Sequence, residues 1–398
     1  MNQTFLSPLQ FRRYQLKKEA IARIKRQHPW ILHKSLSSAV EAFLPNTWLK
    51  LYDGSNQVIG HGVYSPLGAI GIWVIEHQGI EPDLNFFASV IKKKLARKEI
   101  AQQKYRSNAY RLIHGEADQM PGLNIDVFDQ TAVCVPYLPI WDSVLPFLEN
   151  EMRSLHIADR FIIKFPKQRE KLTTSIESTD EGLPFKEGDF TFYSHPKRGQ
   201  KSGYYLDLRE LRFWLAQQDL KNKKVLNLFA NSGSLGVIAE KKGASVINVE
   251  LSNKELELAK MNYEINQLTF STENWVTLDC WDFLKNNSLK YTNEFDLIII
   301  DPPSLTSAKK NIPQALAAWQ KLHSLALPLL KSKGMMVSAN CTARINALQH
   351  RQEIEKSLLR KEKKNKNFFF LPSTFDHPIL INFPEGDYLK ISISTFDD

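Results

Sequence analysis

A chain of 398 residues, 43% hydrophobic and 24% charged, has room for roughly two or three domains with packed cores and is not a disordered polymer. Lys and Arg total 52 against 43 Asp and Glu, a net of +9; residues 1–110 hold 16 basic and 7 acidic side chains and the rest balances to zero. This is the charge layout of a chain with a polyanion-binding front, although a solvated basic face gives the same arithmetic. No apolar run approaches the ~18 residues that span a bilayer, and no apolar stretch of about 7–15 residues follows the basic N-terminus, so neither a membrane span nor a secretory signal is expected.

In chain order, a basic helix is expected from Lys17 to Gln27. Strands follow at 48–52, 58–64 and 69–76, with Asp53-Gly54 as a hairpin turn between the first two. A helix is expected over 88–104, carrying Lys92, Lys93, Lys94, Arg97 and Lys98, then strand over 109–137 broken by turns at Pro121-Gly122 and Asp129. A helix at 139–156, a buried strand at 159–165 and a turn-rich stretch at 167–190 close the middle of the chain. From about residue 200, short apolar strands alternate with helices: strands at 225–229, 246–249, 275–278, 295–300 and 334–339, and helices to Lys242, over 253–267 with Ser252 as its cap, and over 312–331. That alternation predicts an α/β fold, a doubly wound parallel sheet behind β-rich front pieces. Cys134, Cys280 and Cys341 form no CxxC pair, so a reducing compartment and no structural metal are expected.

In a doubly wound sheet, ligands bind beyond the carboxyl ends of the strands. Polar residues fall at those ends here. Ser232 and Gly233 follow the first strand, Glu250 closes the second where an acid can hold two ribose hydroxyls, Asp279 closes the third and Asp301 the fourth. Singly, a glycine there is as well explained as a turn device and an acid as a helix cap; the ordered set of four is more informative. The loop lacks a full G-x-G-x-x-G and any Walker lysine, which disfavours nicotinamide and nucleotide-phosphate cofactors but not S-adenosylmethionine, which has no phosphate.

The run Gly199-Gln200-Lys201-Ser202-Gly203-Tyr204-Tyr205-Leu206-Asp207-Leu208-Arg209 resembles the signature of PUA-containing rRNA cytosine-C5 methyltransferases of the bacterial large-subunit type. The likeness extends through His28-Pro29-Trp30, residues 110–126, Val225 to Phe229, Asp301-Pro302-Pro303 and Asp376-His377-Pro378. It implies a PUA-like RNA-binding domain over 1–86, a middle β-rich domain over 87–190 and a class I S-adenosylmethionine-dependent methyltransferase domain over 191–398. Carried onto matching positions, it implies that Lys201, Tyr205, Arg209, Asn227, Ser232, Gly233, Glu250, Asp279 and Asp301 bind S-adenosylmethionine. The usual Y-T-G-G-F loop is Asn231 to Leu235 here, and the usual S-C-S is Asn340-Cys341-Thr342.

C5 of cytosine is a poor nucleophile, so its methylation needs a covalent partner at C6. Cys341, just past the fifth strand, is the expected nucleophile and Asp301 the expected partner of the cytosine N3/N4 edge; Cys134 and Cys280 read as structural. Arg12, Arg13, Lys17, Lys18, Arg23, Lys25 and Arg26, together with Lys92–Lys98, are expected to position RNA phosphates, and the run from Arg360 to Lys366 is a further candidate. The expected partner is large-subunit rRNA in the cytoplasm, with no membrane; a homodimer is among the assemblies the sequence permits. Two other readings stay open: methylation of another rRNA base, such as a guanine ring nitrogen, and a non-catalytic PUA-type RNA-binding or ribosome-assembly protein.

Overall fold

The computed structural model describes residues 9–166, 182–360 and 365–396, so most of the expected turn-rich stretch at 167–190 and of the basic run at 360–366 lies outside the described residues. The chain divides into two compact units. The first takes the residues before 184 together with 200–204 and 375–384; the second takes 184–199, 205–374 and 385–398.

The first unit contains a five-stranded sheet of β1 (Phe11–Gln15), β2 (Trp30–Leu32), β3 (Trp48–Tyr52), β4 (Val58–Tyr64) and β5 (Ile70–Glu76), in the order β1-β3-β4-β5-β2. The Asp53-Gly54 hairpin forms as expected between β3 and β4. Asp53 accepts from the amides of Ser55 and Gln57 at 2.9 and 3.0 Å, the local bond that suits Asp to turns. α1 (Lys18–Lys25) buries Ala20 and Ile24 on the face it turns inward. α2 (Leu84–Lys93) and α3 (Ala96–Tyr105) stand where one helix was expected over 88–104. A four-stranded sheet follows, β6 (Ala109–His114), β7 (Leu123–Phe128), β8 (Thr131–Pro136) and β9 (Arg160–Ile163) in that order, with α4 (Leu145–Ser154) before its last strand. Trp48, Val63 and Ile75 of the first sheet share one apolar cluster with Phe87, Leu112, Ile125 and Trp141, so packing is continuous across residue 86.

Two distant segments complete this unit. Phe375 stacks on Tyr105 with ring centroids 5.5 Å apart, and the Asp376 carboxylate accepts from the Arg111 amide at 2.9 Å. The buried Ser202 hydroxyl donates to Asp126, which also holds the Arg111 guanidinium at 2.7 and 2.9 Å.

The second unit opens on a hairpin of β10 (Leu183–Glu187) and β11 (Phe190–Ser194), followed by α5 (Arg209–Ala216). Then come β12 (Lys224–Leu228), α6 (Ser234–Lys241), β13 (Ser245–Val249), α7 (Asn253–Ile265), β14 (Trp275–Val276), α8 (Cys280–Asn286), β15 (Phe295–Ile300), α9 (Ile312–Ala326), β16 (Leu330–Asn340), α10 (Ala347–Arg360), β17 (Asn365–Phe370) and β18 (Lys390–Phe396). The strands form one seven-stranded sheet in the order β14-β13-β12-β15-β16-β18-β17. From β12 the chain builds outward through β13 and β14, then returns to the other side of β12 with β15 and β16, all parallel. β18 enters antiparallel between β16 and β17. The reversal of direction beside β12 puts the carboxyl ends of β12 and β15 at the switch point, where such sheets bind ligands. The expected α/β class is the class observed.

Candidate active site

The loop after β12 is bent by backbone rather than by a glycine run. Phe229 and Asn231 have φ of 59° and 49°, and Gly233 has φ of 80°. A Cβ on Gly233 would meet Ala259 and the Trp275 ring at 3.1 Å, so glycine serves both the turn and the close packing. Glu250 holds the loop from the end of β13: one carboxylate oxygen accepts from the Asn231 amide and the other from the Ser252 amide, both at 2.9 Å. Asn262 on α7, fully buried, donates to the Ser232 carbonyl at 2.8 Å and accepts from the Tyr193 amide at 2.8 Å. It ties loop to hairpin, and the sequence reading missed it because nothing local marks it. Asp279 caps α8, accepting from the Trp281 amide at 2.8 Å through one oxygen; its other oxygen takes no hydrogen bond among the described residues.

Asn227, an expected cofactor contact, has its side-chain amide committed to Asn248 at 2.8 Å. Asn248 donates onward to the Tyr263 hydroxyl, and that hydroxyl to Glu240, each at 2.9 Å. Burial pushes the Glu240 carboxyl up to about 7. Cys280 is structural, as expected: it accepts from the Phe229 amide at 3.1 Å and burial drives its thiol well above the ordinary value.

The second half of the site is a clasp between two loops. Cys341 follows β16 and is partly exposed; its thiol donates to the Pro302 carbonyl at 3.7 Å. The Thr342 hydroxyl accepts from the Leu305 amide at 3.1 Å, and Arg344 donates to the Ser307 carbonyl at 2.8 Å. These contacts bring Cys341 beside Asp301-Pro302, at the ends of two adjacent parallel strands, β15 and β16. Asn340 holds the turn by accepting from the Thr342 amide at 2.9 Å, while its buried amide nitrogen has no protein partner among the described residues.

Residues 176–341 match the S-adenosylmethionine-dependent methyltransferase model, a span that ends on Cys341, and residues 15–77 match a PUA-like domain. Residues 176–341 therefore carry an S-adenosylmethionine-dependent methyltransferase domain. Ribosomal RNA large subunit methyltransferase I of Pseudoalteromonas atlantica is 28% identical over 376 residues, covering 92% of this chain and 94% of that protein. The protein of the same name from Escherichia coli is 27% identical with the same coverage. A methyltransferase solved with SAH superimposes with a TM-score of 0.80 at 20% identity, covering 96% of this chain and 99% of that one. A SAM-dependent methyltransferase from Streptococcus mutans gives 0.78 at 20% identity. The donor set fits the cofactor: two carboxylates at consecutive strand ends and a loop without a phosphate cradle.

The remaining expected site residues fall in both units. Tyr205 and Arg209 lie in the second unit. Arg209 is fully buried and meets Glu187 at 3.3 Å, and the neighbouring Arg212 also pairs with Glu187, so α5 is bolted to the hairpin. Lys201 lies in the first unit, partly exposed, with φ of 47°. Among the expected phosphate contacts, Arg12, Arg13, Lys17, Lys18, Lys25 and Arg26 are exposed, with Arg13 over the Tyr52 ring at 4.2 Å. Arg23 is turned inward, donating to the Trp30 carbonyl at 3.0 Å and meeting the His28 ring. The basic run at 92–98 is corrected more strongly: Lys94 and Arg97 both bind the buried Asp118, at 2.7 and 2.6 Å, so those two charges neutralise an internal acid. No cluster of His, Cys, Asp and Glu able to hold a metal occurs among the described residues, and no described helix is long and apolar enough to cross a membrane.

Proposed function

We propose that this methyltransferase forms 5-methylcytosine in large-subunit rRNA through a covalent bond between Cys341 and C6 of the base. The observation that carries the reading is the clasp that sets the Cys341 thiol against Pro302, next to Asp301, in a chain aligned over 92% of its length with relatives named for large-subunit rRNA methylation. In this reading the Cys341 thiolate adds to C6 and makes C5 enamine-like. S-adenosylmethionine, when bound, supplies the methyl group as an electrophile. Asp301 bonds the N3/N4 edge and stabilises charge formed on addition. Loss of the C5 proton then expels the thiolate and frees the enzyme. Glu250 holds the ribose hydroxyls, Asp279 accepts from the adenine amino group, and Ser232, Gly233, Lys201, Tyr205 and Arg209 complete the cofactor contacts, with Asn227 acting through Asn248.

The same reading divides the chain into a PUA-like RNA-binding domain over 1–86, a middle domain over 87–190 and a catalytic domain over 191–398. The exposed basic side chains of the first of these position phosphates, and the base is presented unpaired or extruded. It places the protein in the cytoplasm and includes a homodimer, which light scattering tests. The deciding experiment is nucleoside mass spectrometry of rRNA from a strain lacking the gene, complemented with wild type or Cys341→Ala. One 5-methylcytosine in large-subunit rRNA should disappear and return only with wild type. An unchanged 5-methylcytosine level, or the loss of a methylguanine instead, sinks the cytosine assignment.

A further inference from the structure

Lys390 opens β18 directly opposite Asn340, the residue before Cys341. β17 pairs with the far side of β18 as far as Ser392, and Lys390, beyond that pairing, is 3% exposed. Its ammonium donates to the carbonyls of Thr342 and Tyr388 at 3.1 Å and of Asp387 at 3.4 Å. Three carbonyls match the three N–H bonds of an ammonium but carry no formal charge. Among the described residues Lys390 forms no ion pair with a carboxylate. A buried cation is costly unless something negative faces it. The ionisable groups that favour its charge are the Asp387 carboxylate and the Cys341 thiol; burial opposes them and brings the lysine down to about 8. From α10 it faces His350, which burial, then His323 and then Lys390 itself keep neutral.

The thiol has the complementary problem. Its bond to the Pro302 carbonyl favours the protonated form, yet the nucleophile is the thiolate. We infer that Lys390 is a positioning residue whose buried ammonium holds Cys341 as a thiolate. In the activating step the S–H bond breaks, the electron pair stays on sulfur and the proton passes to solvent water, while the ammonium keeps its three protons on the three carbonyls. The inference rests on the reading of Cys341 as nucleophile, and it extends that reading to a residue some fifty positions further along the chain, on the strand that pairs with β16 at Asn340.

The test is the pH dependence of Cys341 alkylation by iodoacetamide in the full-length protein, with the modified peptide identified by mass spectrometry so that Cys134 and Cys280 do not contribute. The wild-type midpoint is expected at least one pH unit below the ~8.5 of an ordinary thiol. Lys390→Met should raise it by a unit or more and lower kcat at pH 7 about tenfold, with KM for S-adenosylmethionine unchanged. An ordinary wild-type midpoint, or the same midpoint in both proteins, overturns the proposal and leaves Lys390 as a strut between the 340–342 turn and the 385–388 turn. If Lys390→Met does not fold, the wild-type midpoint decides alone. Failure of the nucleophile reading looks different: Cys341→Ala would then keep turnover, whatever the alkylation profile shows.

Discussion

Buried cations are held in two opposite ways, the first of which occurs in both units, since Arg209 and Arg212 of the second unit face Glu187 just as the arginines of the first face their acids. In the first, Arg97 meets Asp118 and Arg111 meets Asp126 through paired hydrogen bonds, each charge cancelled where it lies. In the second, beside the Asp301 and Cys341 loops, Lys390 is held by carbonyls alone. A cancelled pair is cement: it orients segments and has nothing left to give. A cation without a built-in counter-ion costs stability and keeps its field for whatever negative charge forms next to it. The contrast separates a scaffold from a reaction centre without appeal to sequence motifs.

The largest expected effect lies on the reactive side of that contrast. Cys341→Ala should lower turnover by more than about 10³-fold, while calorimetry finds S-adenosylmethionine binding unchanged. Asp301→Asn should follow, with kcat reduced by about 10²–10⁴-fold in single-turnover assays.

The cement is probed by stability rather than rate. Asp118→Asn leaves Arg97 buried without its anion and should cost about 3–5 kcal/mol in urea unfolding. Burial pushes the Asp118 carboxyl up, but Arg97 and Lys94 pull it below its usual value. Its contribution is therefore complete above the unfolded carboxylate value of about 3.9 and is lost as pH falls through the lower folded value. The variant should lack that acid-limb loss; an unchanged limb would mean the pair is not cement.

A smaller effect is expected at the front surface. Replacing the exposed Arg12, Arg13, Lys25 and Arg26 with Gln should flatten the salt dependence of RNA binding by about 0.7 per phosphate contact removed, with little change in stability. Deletion of residues 1–86 is a poor substitute, because it would strip Trp48, Val63 and Ile75 from a core shared with the rest of the first unit. A separate pH effect concerns Glu240. Its folded value, about 7, lies above the ordinary 4.5, so the folded state holds a proton that the unfolded chain releases. Stability should fall as pH rises between those values, and Glu240→Gln should remove that slope.

The parallel sheet was legible because β12, β13 and β15 are short apolar runs closed by polar residues, a pattern set locally. So were the acids at the strand ends and the Ser252 cap, which accepts from the Glu255 amide at 3.3 Å. What was not legible depends on distant partners. The break between α2 and α3 has no Gly or Pro to announce it; Lys94 and Arg97 reach an acid more than twenty residues away. Arg209 reads as part of a cofactor signature, yet its guanidinium meets Glu187. Lys390 looks like a solvated strand residue until the fold brings the carbonyls of Thr342, Asp387 and Tyr388 to its ammonium.

The first unit is not closed by its own stretch of chain. Asp376, on which the Arg111 amide depends, lies 265 residues further along the chain, and Phe375, which covers Tyr105, comes from the same late segment. During translation, therefore, the first unit must wait with an incomplete surface until residues 375–384 have been made. A stalled or prematurely terminated product would present Tyr105 and the Arg111 amide uncovered, and it should be a better chaperone and protease substrate than its length alone would suggest.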